Sequence, residues 1–191
     1  MIRGIIFDCF GVLYGGSLSL LASMAPEGRA EEVYDINMQK DYGYISYPDY
    51  LERTAEVLGV SPDEVDRIIH EKHVRNQELV AYVRELKQQG ECKVGLLSNI
   101  GEQVIQELFG AELNELFDTV VLSYEEGIAK PNPGIFTLMA ERIGVPTWEC
   151  VMIDDLEDNC DGAQIAGMQS IRHITNVSTI KQIEAMRAKS A

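Results

Sequence analysis

Short apolar runs that stop at polar residues constrain this chain more than any other feature. Ile5-Ile6-Phe7 is too short for a helix and ends at Asp8. Lys93–Leu97 ends at Ser98-Asn99, and Cys150–Ile153 ends at Asp154-Asp155. Thr119–Leu122 is followed by Gly127-Ile128-Ala129-Lys130-Pro131, and Gln169–Arg172 is a last short strand. Helical spacing separates these runs, at about Gln77–Gln89, Glu102–Phe109, Asn132–Ile143, Leu156–Ala166 and Thr179–Ala188. Strands alternating with helices predict an α/β fold with a doubly wound parallel sheet. Right-handed crossovers then put helices on both of its faces.

In open α/β sheets, ligands bind beyond the carboxyl ends of the strands. Four of the runs lead there to groups that chemistry can use: Asp8, Ser98-Asn99, Lys130 and Asp154-Asp155. Gly11, Gly15 and Gly16 follow Asp8, so the chain can turn sharply and approach a ligand closely. A carboxylate nucleophile, a hydroxyl, an ammonium group and a carboxylate pair suit phosphoryl transfer through an aspartyl-phosphate. A divalent cation would offset the crowded charge, and Mg²⁺ is expected because it accepts a few carboxylate oxygens and keeps several waters.

Each group also has a plainer reading. Asp8 can cap a turn, Ser98-Asn99 and Asp154-Asp155 can cap helices, and Lys130 can be a solvated loop lysine. Adjacent carboxylates at a strand end repel, however, and a cation would remove that cost. Asn99, Asp158 and Asn159 fit either reading equally.

The segment 17–76 reads differently from the rest. Glu31–Lys40 forms one helix, Pro48–Leu58 a second that stops at Gly59, and Ser61-Pro62-Asp63-Glu64 opens a third that runs to about His70. Asp41 to Tyr47 is a tyrosine-rich turn. Tyr42, Tyr44 and Tyr47 there can face a substrate or pack between helices. A small helical insertion over 17–76 is therefore expected, with residues 1–16 and 77–191 forming the α/β core.

The 191 residues carry 16 Lys plus Arg against 31 Asp plus Glu, a net charge of −15. Such a surface repels nucleic acid and anionic membranes, so neither is an expected partner. An anionic substrate must instead be drawn in by local donors or a metal ion. The chain enters a strand directly, without a basic start and apolar signal segment, and no apolar run approaches a membrane span. Cys9, Cys92, Cys150 and Cys160 lack paired metal-ligand spacing. A cytoplasmic protein with reduced, structural thiols is expected. His70, His73 and His173 read as ordinary surface or core histidines.

In their order, these motifs resemble those of the haloacid dehalogenase-like (HAD) superfamily of hydrolases over nearly the whole chain. Phe7-Asp8-Cys9-Phe10-Gly11-Val12-Leu13 resembles the first motif and Leu96-Leu97-Ser98-Asn99 the second. Lys130-Pro131-Asn132-Pro133-Gly134-Ile135-Phe136 resembles the third, and Met152-Ile153-Asp154-Asp155 with Asn159 the fourth. The resemblance implies a Rossmann-like core with a small all-helical cap after the first motif. It implies a Mg²⁺-dependent phosphatase acting on a small phosphorylated metabolite, as a monomer or homodimer. In that pattern Asp8 attacks phosphorus, and Ser98 and Lys130 hold the phosphoryl oxygens with Asn99 close by. The main-chain carbonyl of Phe10 and Asp155 bind Mg²⁺ together with Asp8, and Asp154 is the outer-shell carboxylate, although Asp154 and Asp155 can be exchanged.

One position departs from the pattern. Phosphatases of this kind carry a second Asp two residues after the nucleophile, and here Phe10 stands there. That residue normally protonates the leaving alcohol and then activates water, help worth roughly 10²–10⁴-fold in rate. Its absence leads to the expectation of substrates with good leaving groups, such as certain sugar phosphates. Two alternatives remain open. One is a haloacid dehalogenase, a group with an aromatic residue at this place; it would need an arginine such as Arg29 or Arg53 and would lack the acidic pair. The other is a catalytically weak protein that binds phosphate and Mg²⁺ in a regulatory role.

Overall fold

The structure, a computed structural model of the chain, describes residues 1–100 and 102–188. In chain order the elements are β1 (Gly4–Phe7), α1 (Leu18–Met24), α2 (Ala30–Asp41), α3 (Tyr47–Leu58), α4 (Pro62–Lys72) and α5 (Gln77–Gln89). β2 (Lys93–Ser98), α6 (Glu102–Phe109), α7 (Leu113–Leu116), β3 (Thr119–Leu122) and α8 (Ser123–Glu126) follow. The chain continues through α9 (Pro133–Ile143), β4 (Cys150–Asp154), α10 (Glu157–Ile165), β5 (Gln169–Arg172) and α11 (Asn176–Ala188).

The five strands form one parallel sheet in the order β3-β2-β1-β4-β5. Strand side chains alternate between faces, so each of β1 to β4 feeds two cores. Ile5, Phe7, Leu96 and Ile153 pack against Leu79 and Val83 of α5, Ile105 of α6 and Ile183 of α11. Ile6, Leu97 and Met152 pack on the other face against Phe136 and Met139 of α9 and Ala163 of α10. Burial on both faces explains why the strands read as continuous apolar runs.

Helices α1 to α4 enclose a separate cluster that includes Leu21, Val33, Ile36, Tyr50, Val65 and Ile69. Their starts follow local chemistry. Ser46 and Asp49 form a reciprocal capping box ahead of α3, and the Ser61 side chain accepts from the Glu64 amide ahead of α4. The two chain crossings between these helices and the sheet run side by side. Gly15 N donates to Val74 O at 2.8 Å and Asn76 N to Leu13 O at 2.9 Å. Among the described residues, no helix is long and apolar enough to cross a membrane.

The elements α1, α7 and α8 were not delimited by sequence pattern. The stretch Leu18–Met24 carries no charge, and Ser17 makes no side-chain cap, so nothing marks its ends. Each of α7 and α8 is a single turn, too short for a helical period to register.

Candidate functional site

Strand register assembles the site. Phe7 lies opposite Ile153 on β4, so the next residues, Asp8 and Asp154, leave adjacent strand ends side by side. The Asp8 amide donates to Ile153 O at 2.9 Å and fixes that placement. Between the two carboxylates lies Lys130, whose Nζ is 2.8 Å from Asp8 Oδ1 and 2.6 Å from Asp154 Oδ2. The Lys130 side chain is 1% exposed. An ammonium group so deeply buried needs paired charge, and the two carboxylates supply it.

Asp155 completes an acidic cluster. Asp8, Asp154 and Asp155 each offer an oxygen, all within 4.8 Å of one another. Burial pushes Asp8 well above the ordinary carboxyl range, with the charges of Asp154 and Asp155 adding to the effect against Lys130. Burial, followed by the charge of Asp154, pushes Asp155 up to about 6. Lys130 also shifts upward, because Asp154 and Asp8 together outweigh the burial that opposes its charge. One ammonium therefore faces three carboxyl groups, and this donor set of hard oxygens fits a divalent cation such as Mg²⁺. The backbone leaves no spare room there. Gly11 has φ +79°, and a Cβ on it would lie 2.2 Å from the Asp155 carboxyl carbon.

The expected residues fall into groups that the structure separates. Ser98 is buried, and its Oγ has no hydrogen-bond partner among the described residues. Asp154 does two jobs, since its Oδ1 also accepts from Leu156 N and from Asn159 Nδ2, both at 3.0 Å. Asn159 is thus brought in as the partner that orients Asp154, whereas Asp158 is exposed. Asn99 engages the Lys130 backbone with both ends of its amide. Its Nδ2 donates to Lys130 O and its Oδ1 accepts from Lys130 N, both at 2.9 Å, so its amide clamps the lysine's backbone. Arg29 is bound to Glu32 and the Val57 carbonyl, and Arg53 to Gln39.

The helical unit contributes neighbours that the sequence did not mark. His73 stacks on Phe10 with ring centroids 4.5 Å apart, and burial followed by the charges of His70 and Lys40 brings it down to about 4. Asp41 and Tyr42 dock on the core. Ser123 Oγ donates to Asp41 O at 2.9 Å, and Tyr42 OH reaches Ala129 O at 3.5 Å, one residue before Lys130. The three tyrosines of the turn have different surroundings. Tyr42 meets the core, Tyr47 donates to Asp66 within the helical unit, and Tyr44 is exposed. No local pattern signals the Asp41 contact, because it depends on a residue 82 positions away.

Comparison with known proteins bears on the family and the fold. The chain is 32% identical over 122 residues to a phosphatase of Mycobacterium tuberculosis; the match covers 63% of this chain and 56% of that relative, just over half its length. It is 25% identical to the glyceraldehyde 3-phosphate phosphatase of Methanopyrus kandleri, covering 90% and 84% of the two chains. A HAD family enzyme from Bacteroides thetaiotaomicron, solved with magnesium and inorganic phosphate, shares the fold at a TM-score of 0.70 and 24% identity, covering 92% and 96%. The model of the haloacid dehalogenase-like hydrolases matches residues 2–167, and the chain belongs to that family of hydrolases.

Proposed function

We propose that this chain is a Mg²⁺-dependent phosphatase, a phosphoric monoester hydrolase that works through an aspartyl-phosphate on a small phosphorylated metabolite such as a sugar phosphate. The observation that carries this reading is the buried Asp8–Lys130–Asp154 array, with the unpartnered Ser98 hydroxyl at the neighbouring strand end. Residues 1–16 and 77–191 form the catalytic core in this reading, and 17–76 the cap.

The Asp8 carboxylate attacks phosphorus, and the bridging oxygen departs with the electron pair of its bond. Ser98 donates a hydrogen bond to a phosphoryl oxygen, and Lys130 supplies fixed positive charge beside it. Asn99 holds the Lys130 backbone in place. Asp8, the Phe10 carbonyl and Asp155 would hold Mg²⁺, with Asp154 in its outer shell. When bound, the ion offsets the negative charge where carboxylates and phosphoryl group meet. The phosphatase names among the relatives support this reading.

A dehalogenase is the second reading. The chain is 26% identical over 90% of its length to an (S)-2-haloacid dehalogenase of Xanthobacter autotrophicus. The acidic pair Asp154-Asp155 and the engagement of Arg29 and Arg53 elsewhere disfavour it.

The test is hydrolysis of an aryl phosphate with Mg²⁺ and with chelator, on wild type and on Asp8→Asn. Turnover with Mg²⁺ alone, lost in Asp8→Asn while its melting temperature holds, is the expected result. Mg²⁺ should also raise the wild-type melting temperature but not that of Asp155→Ala. Wild-type rates in Asp8→Asn would refute the covalent mechanism.

A further inference from the structure

Resting on the phosphatase reading, we infer that Asp41, at the end of α2, is the proton donor to the leaving oxygen, in place of the carboxylate that Phe10 displaces from the first motif. Two contacts and one charge effect tie Asp41 to the core beside Lys130. Its backbone carbonyl is held by the buried Ser123 hydroxyl, and the next side chain, Tyr42, reaches the carbonyl of Ala129 beside Lys130. The Lys130 charge acts on the Asp41 carboxyl. Its neighbour Lys40 acts in turn on His73, the residue stacked over Phe10.

The carboxyl group itself is suited to the task. Its side chain is 11% exposed. Oδ2 accepts from Asn37 Nδ2 at 2.8 Å, whereas Oδ1 is buried, 3.2 Å from Lys40 Nζ, and has no aligned hydrogen-bond donor. A buried carboxyl oxygen without such a donor is costly unless it carries a proton or meets a partner, and a substrate's bridging oxygen is such a partner. The charged and titratable groups around it are Lys40 on its own helix, Tyr50 on α3 and Lys130 on the core. Burial outweighs the opposing pull of Lys40, Lys130 and Asn37, so the carboxyl sits above its ordinary value, the direction that suits a proton donor.

The step balances. As the Asp8 oxygen bonds to phosphorus, the bond from phosphorus to the bridging oxygen breaks, and that oxygen takes the proton of Asp41 to leave as an alcohol. The Asp41 carboxylate then takes a proton from the water that attacks the aspartyl-phosphate. The acyl phosphate bond breaks, releasing phosphate and restoring both carboxyl groups to their starting states. Simple alkyl phosphates, which need that proton most, then become substrates alongside those with good leaving groups.

The experiment is a series of alkyl and aryl phosphates ranked by leaving-group acidity, with Mg²⁺, on wild type, Asp41→Asn and Asp41→Asn/Phe10→Asp. Asp41→Asn should lose about 10²-fold or more in kcat on alkyl esters and less than tenfold on the most acidic aryl ester. Phe10→Asp in that background should restore alkyl turnover, which also guards against a variant that merely folds poorly. An equal loss along the whole series, with no restoration by Phe10→Asp, would overturn the inference and leave Asp41 a structural role. No turnover of any ester by wild type would instead refute the phosphatase reading itself.

Discussion

The sheet and the helical unit each contain a lysine held by aspartate, and the two pairs differ in how they are fixed. Lys130 is 1% exposed, with a carboxylate on either side at strand ends set by register. Lys40 is 26% exposed and spreads its charge over Asp41, Asn37 and the face of Tyr50. The first array keeps its lysine almost wholly from water. The second sits at a helix end, docked on the core through the Ser123 hydroxyl. Charge at the strand ends is therefore positioned by backbone pairing, and charge at the helix end by side chains that can readjust.

Removing each lysine is the strongest way to break that comparison. Lys130→Met leaves Asp8 and Asp154 buried without their cation, and loss of one partner from a buried pair costs about 3–5 kcal/mol. Lys40→Met should cost about 1 kcal/mol or less, as for pairs that keep contact with water. Denaturant titration of the two variants measures both, and equal losses would mean that the pairs are equivalent.

Two glycines sharpen the contrast at a smaller scale. A Cβ on Gly162 of α10 would lie 2.2 Å from the Pro131 carbonyl oxygen, which is backbone and cannot rotate away. Gly162→Ala should cost about 1–3 kcal/mol by overpacking, and it should slow turnover by displacing Lys130. Gly59, at the end of α3, has φ +69° and no atom within 4 Å. Gly59→Ala should cost about 1 kcal/mol from backbone conformation alone, with kcat unchanged. Melting curves and steady-state rates for the two variants separate close packing from local strain. A kcat in Gly162→Ala equal to wild type would show that the Pro131 loop gives way without moving the lysine.

The smallest expected effect lies at the opposite end of the sheet. Asp118 accepts from Val94 N at 2.9 Å and pairs with Lys87 and Lys93. Burial alone would raise its carboxyl, but the Lys87 and Val94 hydrogen bonds, with both lysine charges, hold it below the ordinary value. The folded state therefore favours the carboxylate, and this stability is present above the unfolded pKa of about 4 and lost as pH falls through the lower folded value. Asp118→Asn should cost about 1 kcal/mol at neutral pH, with the deficit shrinking in acid. A deficit independent of pH would point to packing instead.

Sequence reached the sheet because β1 to β4 are buried on both faces and read as apolar runs with a polar stop. It reached Asp8, Lys130 and the Asp154-Asp155 pair because parallel strands bring their ends to one edge. It did not reach the work of Asn99, whose amide matches the backbone of Lys130 across 31 residues. Nor did it reach His73, which read as an ordinary histidine until α4 brought it against Phe10. Such contacts join residues far apart in the chain, and no local pattern carries that information. The capping box of Ser46 with Asp49, by contrast, lies within four consecutive residues and starts α3 at Tyr47, one residue ahead of the Pro48 that the sequence pattern marks.

Strand order has a consequence in time. The central strand β1 is the first to be synthesised, but its neighbours β2 and β4 come from residues 93–98 and 150–154. Until β4 emerges, one edge of β1 has no partner, and its unpaired amides and apolar side chains are open to wrong pairing. The helices from α1 to α4 need only local contacts, so they are expected to gain protection long before the strand that precedes them. Pulsed hydrogen exchange during refolding would follow that order, and early protection of the Ile5 and Ile6 amides would contradict it. The residue proposed to do the chemistry thus reaches its working position among the last, once both flanking strands have closed on it.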